Sequence, residues 1–214
     1  MYSLIIDTSH EENFIGVLNL QKNLIAHKRF LEPPYEVLIG HLSDLFKDLD
    51  IQLSDITHYY TPCSPGSTLG IRTAQMTING LLGAHSGKND PSEMTKQVYR
   101  YNGLYMSALH LKTQSTPTGS ILITENGRDA WSLISIDKVG NTEIFRMDNP
   151  SIAEIENNIY YIPQVKRWQD PPKAAIHLKY DPENFLKLFD LPEASNIDQT
   201  ILQPYSMEYK KWNS

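Results

Sequence analysis

The sequence predicts an α/β protein of two lobes, each with a mixed sheet and helices. Three features carry that expectation: short apolar runs at hairpin spacing near the N-terminus, a change to helical period after Pro33-Pro34, and a strand–turn–helix stretch around Ser64 to Arg72. The chain has 214 residues, 40% of them hydrophobic and 21% charged, which suits one sizeable core or two modest lobes.

Taken in order, Ser3 to Asp7 is a short apolar run that stops in a polar turn, Asp7-Thr8-Ser9. Phe14 to Leu20 and Leu24 to Phe30 read as a second and third strand joined by the hairpin-sized turn Gln21-Lys22-Asn23. Three sequential strands at this spacing make an antiparallel meander. Val37, Leu38, His41, Leu42, Leu45, Phe46 and Leu49 then recur at helical spacing, predicting an amphipathic helix over Glu36 to Leu49. Ile56 to Thr61 reads as a strand, and Ile71 to Leu82 as a second amphipathic helix.

Between them lies Ser64-Pro65-Gly66-Ser67-Thr68-Leu69-Gly70-Ile71-Arg72. Pro65 fixes one backbone angle, Gly66 and Gly70 permit close approach or positive φ, and Ser67 or Thr68 is placed to cap the helix. A helix N-terminus can seat an anion. The same pattern also serves as a plain capped turn, since it lacks the Walker-type lysine. The order β-β-β-α-β-α is the layout of ribonuclease H-like and actin-like ATPase lobes, and that is the expected fold.

His85 to Ser92 is loop-like and marks the expected boundary between an N-terminal lobe over 1–92 and a C-terminal lobe over 93–214. In the second lobe a helix is expected from Val98 to Leu111, with strands at Ser120 to Glu125, Ala130 to Lys138, Thr142 to Met147 and Ile159 to Ile162. Lys173 to Tyr180 and Pro182 to Phe189 read as helical, and Ala194 to Gln203 as a tether.

The formal net charge of −6 argues against a broad nucleic-acid surface. The basic pairs Lys166-Arg167 and Lys210-Lys211 read as solvated surface. Cys63 is the one cysteine and reads as a small, partly buried structural residue. No basic n-region or long apolar run occurs, so a soluble cytoplasmic protein is expected.

Asp7, Thr8 and Ser9 offer a carboxylate and two hydroxyls at a strand end, which suits either a magnesium-bound phosphate or a self-bonded turn. The histidines stand at 10, 27, 41, 58, 85, 110 and 177, so no His-x-x-x-His metal pair exists. The absence of a Gly-Gly dipeptide weakens a phosphotransferase reading. The apolar stripes of the two helices fit either core or a docking face.

These motifs resemble the TsaB (YeaZ-type) family. Leu4-Ile5-Ile6-Asp7-Thr8-Ser9-His10 matches the family's apolar run into Asp-Thr-Ser-Thr except at the last position. Pro65, Gly66, Ser67, Gly70 and Arg72 match its Gly-Pro-Gly-Ser-Phe-Thr-Gly-Leu-Arg-Ile-Gly signature, from which Ser64, Thr68, Leu69 and Ala74 depart. Pro171 to Leu178 and Gln203-Pro204-Tyr205 resemble the family's closing segments, whereas Pro34-Tyr35-Glu36 replaces its His-Ser-Glu.

The resemblance implies a divergent member with a non-catalytic role in bacterial threonylcarbamoyladenosine modification of tRNA. It implies pairing with the catalytic TsaD homologue, recruitment of the ATPase TsaE, a homodimer when the partner is absent, and tRNA contact only through the complex. Leu38, His41, Leu42, Leu45, Ile71, Ala74 and Ile78 are the expected interface, with no metal and weak or no ATP and magnesium binding. The competing readings are an actin-fold small-molecule kinase or ATPase using Asp7, Thr8 and Ser9, and a metallopeptidase, which the missing ligand pair disfavours.

Overall fold

The computed structural model describes residues 1–85, 96–140, 144–155, 157–191 and 198–200. Strands β1 (Tyr2–Asp7), β2 (Asn13–Leu18) and β3 (Leu24–Phe30) form the expected antiparallel meander. Helix α1 (Pro34–Asp48) follows, begun by proline in its first turn, where an amide hydrogen is not needed. Strand β4 (Ile56–Ser64) pairs parallel with β1 and leads through the Gly66 turn into helix α2 (Thr68–His85).

The next element differs from expectation. The stretch read as one helix from Val98 divides into strand β5 (Gln97–Asn102) and helix α3 (Gly103–Thr113). β5 pairs parallel with β4, and Asn102 Oδ1 caps α3 by accepting the Tyr105 N–H at 3.0 Å. The long-range ladder outweighs the local helical spacing of Tyr101, Leu104, Tyr105 and Ala108.

The first sheet has six strands, and its far edge is β11 (Asp198–Thr200), antiparallel to β5. Both β5 and β11 lie beyond the expected division at residue 92 yet hydrogen-bond into this sheet. The loop-like stretch 86–92, most of the Ala194 to Gln203 tether, Gln203-Pro204-Tyr205 and Lys210-Lys211 lie outside the described residues.

The second sheet runs β10-β9-β6-β7-β8, built from β6 (Ile121–Glu125), β7 (Ala130–Ser135), β8 (Phe145–Asp148), β9 (Ile159–Tyr161) and β10 (Ile176–His177). A short helix α4 (Asn149–Ala153) follows β8. Lys173 to Tyr180 is not helical. Ile176 and His177 instead add to β9 as an edge strand. Of Pro182 to Phe189, Pro182–Phe185 forms a 3-10 turn capped by Asp181, with further turns beyond it.

Three apolar clusters hold these layers. Leu4, Ile6, Ile15 and Val17 pack with Leu38, Leu42, Leu45, Ala74 and Ile78 under α1 and α2. Ile5, Phe14 and Leu18 point through the opposite face into a cluster with α3 residues Leu104 and Leu109, second-sheet residues Leu122 and Ile134, and Tyr180 and Phe185. β1 is buried on both faces, so its apolar run is continuous rather than alternating. A third cluster, including Trp131, Tyr161 and Ile152, covers the other side of the second sheet.

Candidate functional site

The two motifs singled out in the sequence fold against each other. Ser67 N–H donates to the Ser9 carbonyl at 2.7 Å, and the Thr8 hydroxyl donates to the Gly70 carbonyl at 2.6 Å. A Cβ on Gly70 would overlap the Thr8 carbonyl oxygen, and one on Gly66 would meet the Ser9 carbonyl oxygen at 2.6 Å. Gly66 also has φ +148, so both glycines are required by backbone approach or by conformation. Ser67 Oγ accepts the Gly70 N–H at 3.2 Å, an N-cap bond for α2.

Asp7, Thr8 and Ser9 are all buried. The Asp7 carboxylate is filled by the protein itself. Its Oδ1 accepts the Ser9 N–H at 3.0 Å and the Ser9 hydroxyl at 2.6 Å. Its Oδ2 accepts the Tyr101 hydroxyl at 2.5 Å and the Tyr180 hydroxyl at 2.8 Å. Four donors match the acceptor capacity of a carboxylate. Of the two readings of Asp7, Thr8 and Ser9, the contacts here are those of a self-bonded turn: the carboxylate and both hydroxyls are hydrogen-bonded within the protein.

Burial, reinforced by the adjacent Asp7 charge, holds both the Tyr101 and Tyr180 phenols well above the ordinary tyrosine range, so both remain donors. The Ser9 hydroxyl gives its proton to Asp7, which assigns the proton on the His10 Nδ1···Ser9 Oγ contact of 2.8 Å to Nδ1. The His10 ring stacks on Tyr180 at 3.5 Å. Burial pushes its pKa down to about 4 against the attraction of Asp7, so the ring is neutral.

The expected interface residues are also relocated. Leu38, Leu42, Leu45, Ala74 and Ile78 are 0–7% exposed and belong to the core, where no partner reaches them. His41 is half-buried against Phe30, and Ile71 is half-buried beside the inter-lobe cleft. The same helices present a second apolar set to solvent: Tyr35 at 62%, Ile39 at 62%, Leu69 at 60% and Met76 at 55%. These four line a groove of about 480 Å³ between α1 and α2, with Arg72 and Gly80 on its wall.

A second, larger cleft of about 730 Å³ lies between the lobes. The Ser64–Ser67 turn forms one side, and Glu125, Gln164, Lys166 and Trp168 lie on the other. Pro65 lines this cleft too. Cys63, expected to be partly buried, is exposed beside it because β4 ends there. Tyr101, Tyr180, His10, Glu125 and Trp168 were not among the expected site residues. Only Asn102 before Gly103, a cap followed by a helix start, gave a local signal of how β5 delivers Tyr101 to Asp7.

Two solved structures share this architecture. YeaZ from Pseudomonas aeruginosa superposes with a TM-score of 0.57 at 16% identity, covering 87% of this chain and 89% of that one. An uncharacterized protein with similarity to peptidase YEAZ from Pseudomonas aeruginosa superposes with a TM-score of 0.59 at 14% identity, over 87% and 89%.

The chain has the YeaZ fold.

It is thus an actin-like ATPase (ribonuclease H-like) fold of two lobes with mixed sheets, as the sequence predicts. No family model and no curated protein matches this YeaZ-like chain. Among the described residues, no helix is long and apolar enough to cross a membrane.

Proposed function

We propose that this chain is a divergent TsaB-type subunit: a non-catalytic scaffold or activator of the cytoplasmic bacterial tRNA threonylcarbamoyladenosine complex, pairing with the catalytic TsaD homologue. The observation that carries this reading is the Asp7 carboxylate, saturated by Ser9, Tyr101 and Tyr180. An actin-fold kinase or ATPase needs a first-strand carboxylate free to meet a metal-bound phosphate, and this one is committed to internal donors.

The partner surface, on this reading, is the α1–α2 groove with Tyr35, Ile39, Leu69 and Met76 at its rim. Exposed large apolar side chains gathered along one groove lose unfavourable contact with water when a partner helix covers them. A second copy of the chain would cover the same groove when the TsaD homologue is absent, and the TsaE homologue would join the assembled pair. Contact with tRNA would come through the complex.

Co-expression with the cognate TsaD homologue tests this reading. The wild-type chain co-purifies with it. Ile39→Asp and Met76→Glu lose the partner while melting at the wild-type temperature, because both side chains are exposed. Undiminished pairing of both variants would overturn the surface assignment. Magnesium-dependent ATP hydrolysis lost in Asp7→Asn would overturn the non-catalytic reading.

A further inference from the structure

Residues 178–191 play no part in the pairing reading, yet they cross from one lobe to the other. They leave the second sheet where the Leu178 N–H donates to the Tyr161 carbonyl at 2.8 Å. The turn Pro182–Phe185 packs on α3, and Asp190 reaches the first sheet at the β2–β3 hairpin, where it pairs with Lys22. Among the described residues this stretch makes four ion pairs to the first lobe, and one arginine takes two of them.

That arginine is Arg29 of β3. Its Nη2 donates to Asp181 Oδ1 at 2.7 Å and to Glu183 Oε2 at 2.8 Å, both on the crossing stretch. Its Nη1 donates to Glu12 Oε2 at 2.9 Å, and Lys179 Nζ meets that same oxygen at 2.8 Å. The guanidinium lies over the Phe14 ring, with Cζ 5.0 Å from the centroid. Between Lys179 and Asp181 stands Tyr180, which donates to Asp7 and stacks on His10. Further along, Phe189 stacks on Tyr60 at 4.4 Å.

We infer that residues 178–191 form an ionic clasp that fixes the two lobes at one mutual angle. The apolar cluster of Ile5, Leu122 and Ile134 already joins the lobes, but apolar contact is non-directional and tolerates rotation. Hydrogen-bonded charges are directional. A single exposed pair contributes little, whereas a planar guanidinium shared by three carboxylates holds each of them in place. A hinge between the lobes would have to part these pairs together with the Tyr180–Asp7 bond, because all of them arise from one short stretch. The clasp therefore keeps the inter-lobe cleft at one width. This inference does not depend on the pairing role.

Spin labels placed across the cleft test the clasp in the full-length protein. Cys63 is the one cysteine and is exposed on the first-lobe side, and Lys166→Cys supplies the second label opposite it. Pulsed dipolar spectroscopy should give one narrow distance distribution in this otherwise wild-type chain. Arg29→Met should broaden it at least about twofold while circular dichroism keeps one cooperative melt. Arg29→Lys should broaden it as much, since an ammonium keeps the charge but lacks the fork. Lys179→Met/Glu183→Gln alters two more exposed side chains, melts like wild type and should give an intermediate width. A broad distribution without any clasp substitution, or an unchanged width in Arg29→Met or in Lys179→Met/Glu183→Gln, would overturn the proposal. Wild-type width in Arg29→Lys would overturn the part given to the guanidinium.

Discussion

The Tyr180 hydroxyl donates to Asp7 Oδ2 at 2.8 Å, joining two residues 173 positions apart in the sequence. Both groups are buried, and Tyr101 donates to the same oxygen. In Tyr180→Phe the ring stack on His10 survives while one donor to a buried carboxylate is lost. That change costs about 1–3 kcal/mol, read as a lower urea midpoint at constant slope. Tyr101→Phe costs about the same, and the double variant is non-additive because both partners share one oxygen.

His10 sets an acid limit on stability. Its folded pKa of about 4 lies below the value near 6.5 that it has when unfolded. As pH falls, the unfolded chain therefore takes up the proton first. The contribution is complete above pH 6.5 and is lost between pH 6.5 and 4, amounting to up to about 3 kcal/mol. Denaturant midpoints of wild type and His10→Asn across that range should converge as pH falls. A constant gap would show that the ring is not held neutral.

The phenols act at the other end of the scale. Tyr101 and Tyr180 are held well above the ordinary tyrosine range by burial and then by the Asp7 charge. Their contribution is present below the unfolded tyrosine pKa of about 10 and is lost as pH rises above it. Melting temperature should therefore fall above pH 10 more steeply in wild type than in Tyr101→Phe/Tyr180→Phe.

Gly70→Ala tests the joint between the two motifs. The new methyl would collide with backbone at Thr8, which cannot turn aside as a flexible side chain would. A loss of about 3 kcal/mol or more is expected in thermal unfolding. Thr8→Ala removes only the bond to the Gly70 carbonyl and should cost about 1 kcal/mol.

Gly80 separates helix stability from docking. It is exposed in α2 on the groove wall, and a Cβ there meets nothing within 4 Å. Gly80→Ala should stabilise the chain by about 0.5–1 kcal/mol through helix propensity. Gly80→Phe should leave the melt near wild type but fill the groove, and size-exclusion of the co-expressed pair should show dissociation.

The meander, both first-lobe helices and the Ser67 cap were legible because each rests on local period or turn chemistry. Of the helix expected from Val98 to Leu111, the part from Gly103 is helical but Val98–Asn102 is not, since Tyr101, Leu104, Tyr105 and Ala108 satisfy helical spacing while β5 is made by its ladder to β4. Helical period likewise finds the apolar sides of α1 and α2 without saying which one the sheet covers. Leu42 at 3% exposure is core, so a charge there unfolds the lobe instead of merely severing a partner. Ile39 and Met76 form the outward stripe. The Asp7 node was invisible because Tyr101 and Tyr180 reach it from distant elements with no sequence spacing to betray them.

The edge position of β11 has a practical consequence for dissecting the protein. Because β5 joins the first sheet before the second sheet begins and β11 returns to it afterwards, the chain threads outward and comes back. A fragment cut after residue 92 would carry four of six strands and leave the open flank of β4 as a template for mispairing. The polypeptide is best handled as one indivisible piece, in which proteolysis near the C-terminus is felt in the lobe that begins the chain.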